Sequence, residues 1–272
     1  MTVSIGPENL LRHDRWIVIG AILLAVATSA AVILAGGGTG MAAWRMSVDT
    51  GPAGALVGGM LGVESAVVWT PGYAMVIFLM WWLMMIAMMV PSATPVILLY
   101  GALHRERGAR GALEFMAGYL AVWAAFSLLA TVLQGVLAAG GQVSPMYMTL
   151  AAPVLGALVL IGAGAYQFTP LKGACLASCR GPVDALVQHR RSGRGAAFRM
   201  GLLHGSYCLG CCWALMALLF VGGVMNIWWI LGITLYIAAE KLAPGGNRLA
   251  RPLGAGLIVA GAALLVWTAR LI

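Results

Sequence analysis

The chain has 272 residues, of which 62% are apolar, with a mean hydropathy of +0.95 and a formal charge of +8. Only 9% of residues are charged, against about 25% in an ordinary soluble domain, too few to cover a water-facing surface. This excludes a cytosolic globular enzyme, a disordered chain and a nucleic-acid-binding module. It points to an all-α, polytopic transmembrane helical bundle, one membrane domain over residues 1–272.

Apolar runs longer than about 18 residues read as spanning helices. The first covers about 16–35. Its basic flank, Arg12 to Arg15, resembles the start of a signal peptide, but the run is long for an h-region and ends in glycines without a clear cleavage site. A Gly-rich outer loop follows over about 36–72, with the acids Asp49 and Glu64 and a semi-apolar stretch, 53–68, that predicts a short helix lying on the membrane. Further spans are expected at about 73–100, 115–138, 149–168, 200–222, 227–240 and 253–269, with a basic loop over about 169–199. The sixth run is short, so the count is seven, or six if it does not cross. No internal repeat is visible.

Charge placement orients the bundle. With the N-terminus in the cytoplasm, fourteen of the sixteen Lys and Arg fall inside and only Arg45 and Arg270 outside. Topology therefore accounts for the +8 without a nucleic-acid partner. A basic inner face meets anionic lipid, and the expected location is a bacterial inner membrane.

Sulfur and imidazole are concentrated. All five cysteines lie in two segments: Cys175 and Cys179 in YQFTPLKGACLASCR, and Cys208, Cys211 and Cys212 in HGSYCLGCCW with His204. On a helix, Cys208, Cys211 and Cys212 sit at about +40°, −20° and +80° from His204, so the four share one face. His204 and Cys212 are about 12 Å apart along the axis, whereas ligands stand about 2.0–2.3 Å from a metal. One ion cannot hold all four. His204 with Cys208 makes one pair, and Cys208 with Cys211 or Cys212 a deeper one, so the helix reads as a ladder. Cys175 and Cys179 are placed to complete the shallow pair. A reducing cytoplasm disfavours structural disulfides. Buried cysteine as a small hydrophobe is the plainer alternative, but it leaves the confinement to two segments unexplained.

The second span adds methionines, MVIFLMWWLMMIAMMVPSATP, with Met80, Met84 and Met88 on one stripe and Met85 and Met89 beside it. Met84 and Met88 are candidate ligands, although a buried Met stripe also serves packing. Thioether and thiolate together favour Cu(I), with Zn(II) as the alternative ion. Pro91 and Pro95 are expected to break the helix nearby and free carbonyls. Glu240 is an intramembrane carboxylate: a hard ligand or proton acceptor, or simply an ion pair with its neighbour Lys241. Glu114 reads as paired with Arg110, and His13, His104 and His189 as solvated. There is no H-E-x-x-H, phosphate-binding Gly loop or nucleophile elbow, so nothing specifies an enzyme.

The segments YQFTPLKGACLASCRGP, GLLHGSYCLGCCWALMALLFVGGVMNIWWI and AAEKLAP resemble a bacterial family of predicted metal-binding integral membrane proteins of unknown function, over about residues 73–272. The resemblance implies a polytopic helical fold and a metal site at Cys175, Cys179, His204, Cys208, Cys211, Cys212 and Glu240. The expected function is soft-metal handling, by transport or by delivery to a partner that donates or accepts the metal. The alternatives are thiol redox chemistry, with His204 or Lys172 activating a cysteine, and a structural role in a larger membrane complex.

Overall fold

The computed structural model describes residues 7–37, 43–45, 47–48, 69–143, 148–181, 193 and 195–270, without the side chains of 7–13 and 105. Asp49, Glu64, the 53–68 stretch, His189, Arg190, Arg191 and Arg194 lie outside the described residues, as does the side chain of His13. Among the described residues the fold is helical, with α1 (Pro7–Leu34), α2 (Pro71–Leu103), α3 (Gly108–Ala139), α4 (Pro153–Tyr166), α5 (Pro170–Arg180), α6 (Ala196–Ala217), α7 (Leu219–Gly222), α8 (Ile227–Leu242) and α9 (Ala250–Ala269). Five helical segments are long and apolar enough to cross a membrane: 14–34, 71–103, 108–139, 196–222 and 246–269. A sixth arises if α4 and α5, bent by 64°, form one broken span. The fourth run holds α4 alone, and α5 occupies the start of the stretch read as the basic loop. The sixth, α8, has 16 residues, shorter than the about 20 that an untilted span requires.

The breaks follow from local chemistry. Thr169-Pro170 ends one helix and starts another: Thr169 is extended, its Oγ1 accepts from the Lys172 backbone N–H at 3.3 Å, and Pro170 opens α5. The GVMN turn between α7 and α8 uses Gly223 at φ 93° and the Asn226 side chain, which accepts from the Trp228 N–H at 3.0 Å. The prolines of α2 act otherwise than expected: the helix continues through Pro91 and Pro95. Hydroxyls bond carbonyls of that stretch, Ser92 donating to Met89 O at 2.9 Å and Thr94 to Val90 O at 2.9 Å. The prolines themselves free the carbonyls of Ala87 and Pro91, and the packed neighbours of the buried helix hold it together.

Packing is led by α3 with α6, α4 with α9, α2 with α3, α1 with α2, and α5 with α6. Glycine sets the closest crossings. A Cβ on Gly118 of α3 would collide with the Phe198 carbonyl of α6, and one on Gly201 of α6 with the Phe115 carbonyl of α3. The backbones touch there, as small residues allow, and this brings Tyr119 of α3 against the cysteine face of α6. On the other side of α6, Gly210 gives room to the Cys175 side chain of α5. Outward-facing Leu128, Leu129, Leu133, Leu235 and Val259 are exposed, as on a lipid-facing surface. The buried core, by contrast, collects methionine, aromatic rings and thiols.

Candidate metal centre

The cysteine face of α6 is buried as the helical spacing predicts. His204, Cys208, Cys211 and Cys212 all point inward, and all five cysteines are free thiols. α5 runs alongside and brings its own pair. The Cys179 thiol faces those of Cys208 and Cys211, and Cys212 stands beside them on its own helix. Cys175, one turn earlier on α5, lies against Gly210 and is only half-buried. Of the two α5 cysteines, Cys179 thus addresses Cys208 and Cys211. His204, expected to share the shallow pair, lies between aromatic rings, 5.9 Å from Phe115 and 6.0 Å from Tyr119 between centroids. The thiols meet in pairs. Among the described residues, no three His, Cys, Asp or Glu side chains are arranged as a ready-made cage for an ion.

Cys208 is the hub. Lys241 Nζ donates to its Sγ at 2.9 Å, and Tyr119 Oη lies 3.0 Å away on the α3 side. The Tyr119 hydroxyl also reaches the Met89 carbonyl at 3.3 Å. The Cys208 backbone carbonyl accepts from the thiols of Cys211 at 3.1 Å and Cys212 at 2.9 Å. The thioether enters through Met89, whose Sδ is 4.0 Å from Cys212 Sγ. Met84 and Met88, the expected ligands, are fully buried in the same core, but Met89 makes the sulfur–sulfur contact.

Glu240 is fully buried and pairs with Lys172 of α5 at 2.7 Å, not with Lys241. Consecutive residues on α8 point about 100° apart, so Glu240 and Lys241 address different neighbours. Tyr236 donates to Glu240 Oε1 at 3.3 Å, and Gln167 accepts from Lys172. Lys172 is thus committed to a carboxylate, and neither it nor His204 is the cation on the Cys208 thiol. Lys241 and Tyr119 were not legible as site residues. Lys241 reads from sequence as one more inside-positive charge, yet it and Lys172 are both buried. Arg180 ties α5 to the end of α8, its guanidinium donating to the carbonyls of Glu240, Lys241 and Ala243, the last at 2.8 Å. The expected Arg110–Glu114 pair is present at 2.9 Å. His104 is half-buried and stacks on Tyr100 at 4.3 Å instead of standing free in solvent.

Residues 78–264, well over half the chain, match the family model described as PpoB2: copper chaperone. The chain belongs to this family. The match spans α2 to most of α9 and so includes every cysteine, His204, Glu240 and the buried methionines of the core stripe. A PpoB2 copper chaperone handles a soft ion, and the donor chemistry around Cys208 suits that ion. Thiols and a thioether predominate, and the one carboxylate is already paired with a lysine. No curated protein and no solved structure matches the chain.

Proposed function

We propose that the protein is a membrane-embedded Cu(I) chaperone that holds the ion on cysteine sulfur between α5 and α6 and passes it to a partner protein. One observation carries this reading: α5 and α6, separate in sequence, pack together with Cys179 facing Cys208 and Cys211, beside Cys212 and the Met89 thioether. Copper is the cargo. Cys208 with Cys179 or Cys211 forms the principal site, and Cys212 with Met89 offers the next donors. Met84, Met88 and His204 stand behind these, and Cys175 is the half-exposed thiol at which an arriving or departing ion first meets sulfur. Pairwise contacts suit transfer. A soft d10 ion is content with few ligands, so it can keep one sulfur while exchanging the other. Glu240 supports the site by neutralising Lys172 and is not placed as a ligand.

The helices cross a bilayer, in the bacterial inner membrane, with the N-terminus and the cysteine end on the cytoplasmic side. Basic loop residues support that orientation. The proposed count is seven, with the α4–α5 pair as a broken span and α8 as a short one. Lys241 beside Cys208 favours a second reading, thiol redox chemistry, because a cation stabilises thiolate. The two readings separate on metal content. Copper copurifies with the detergent-solubilised protein in near-stoichiometric amount by elemental analysis, and Cys208→Ala removes it. A metal-free wild type with a rapidly alkylated Cys208 overturns the chaperone reading in favour of the redox one.

A further inference from the structure

The elbow between α4 and α5 encloses a feature that copper handling does not use. A cavity of about 480 Å³ opens between the elbow and the start of α9. Gln167, Lys172, Arg180, Asn247, Arg251 and Phe168 contribute to its wall. Three of these are cations. Among the described residues Glu240 is the nearby carboxylate, and it already pairs with Lys172, while the Arg180 guanidinium donates to backbone carbonyls. Arg251 is exposed and has no carboxylate partner among the described residues. Among the described residues the wall therefore carries an excess of positive charge.

Gln167 supplies the second observation. It is only 5% exposed, and its Oε1 is occupied by Lys172. That bond orients the amide, so the Nε2 hydrogens are left without an acceptor in the protein. Buried donors are nearly always satisfied. One that lines a cavity walled by cations is positioned for an acceptor from outside the chain, and the cations favour an anionic one. The outer side of the elbow is apolar, with Phe168 51% and Leu171 61% exposed. A charged, multi-oxygen head beside a hydrocarbon surface is the description of a phospholipid, and basic pockets between helices on the cytoplasmic side suit its head group.

We propose that this cavity binds the phosphate of an anionic phospholipid. Gln167 Nε2 and the Arg251 guanidinium donate to its oxygens, Lys172 is a fixed positive charge behind it, and Phe168 faces the acyl chains. Binding there braces the elbow that carries Cys175 and Cys179. It lies outside the thiol cluster and is independent of the copper reading, although it shares the proposed membrane orientation.

The test is native mass spectrometry of the full-length protein released from detergent with phosphatidylglycerol or phosphatidylcholine, with and without inorganic phosphate. Phosphatidylglycerol is retained in preference, and Arg251→Gln lowers its retention about fivefold, the effect of one cation of about 1 kcal/mol near a membrane surface. Arg251→Lys restores part of it. Equal retention of the two lipids, or an unchanged Arg251→Gln protein, overturns the proposal. That result is expected if Gln167 is merely bridged to Glu240 Oε2, the other buried polar atom without a partner in this cluster. Displacement of phosphatidylglycerol by millimolar inorganic phosphate keeps the phosphate site and overturns the lipid as its source. Copper content measured on the same samples keeps the two readings apart: copper lost with lipid retained counts against the chaperone site alone.

Discussion

Two lysines are buried side by side in this molecule, and they are answered differently. Lys172 meets a carboxylate, Glu240, at 2.7 Å, with Gln167 and Tyr236 filling out the cluster. Lys241, on the helix that carries Glu240, meets the thiol of Cys208 at 2.9 Å. A carboxylate is a permanent hard anion, so the first region is a structural clamp between α5 and α8. A thiol is soft, polarisable and exchangeable, so the second region can give up its partner to a metal. Burial alone does not mark function here. The chemistry of the group facing the buried charge does.

That comparison can be broken at either lysine. The largest stability effect is expected from Glu240→Gln, which strands Lys172 in an apolar interior and costs about 3–5 kcal/mol. Thermal unfolding in detergent reads it, and the fraction that remains folded still carries copper. Cys208→Ala also leaves a buried lysine, Lys241, unpaired and costs up to about 3–5 kcal/mol, but here all copper is lost. Copper kept by the folded Cys208→Ala protein, or lost from folded Glu240→Gln, would erase the distinction between clamp and exchange site. Gly201→Ala sharpens the geometry instead. Its new methyl group meets the Phe115 carbonyl, and overpacking of this kind costs about 1–3 kcal/mol. It also lowers copper content, because the same crossing holds Tyr119 against Cys208. The smallest effect is expected at the methionines. Met89→Leu keeps the packing, at a cost under about 1.5 kcal/mol, yet weakens copper retention against a competing chelator, whereas Met84→Leu does not. The reverse order would return the thioether role to the stripe read from sequence.

The α6 ladder was legible because four donors on one helix share a face by spacing alone, whatever packs against it. The partner of each rung was not. The C-x₃-C pair of α5 divides, Cys179 facing Cys208 and Cys211 and Cys175 packing on Gly210, because the Thr169-Pro170 elbow turns α5 by 64° and sets its course along α6. The prolines of α2 were misleading for a related reason. Pro91 and Pro95 deprive the carbonyls of Ala87 and Pro91 of their helical donors, yet the surrounding residues are packed inside the bundle and the helix runs on. Lys241 was hidden by its composition: in a chain whose cations gather in loops, one more Lys beside a Glu looks like an interfacial pair.

What the amino-acid order determined by itself is everything periodic or compositional: helical class, the apolar runs, the charge asymmetry, and the clustering of soft donors on one face. These depend on the 3.6-residue repeat and on transfer free energies, which are local. Which donors touch, which lysine faces sulfur and which faces carboxylate, and which methionine reaches the thiols were decided by tertiary structure alone. Each of those outcomes turns on a glycine crossing or an elbow, where a shift of one turn exchanges one partner for another.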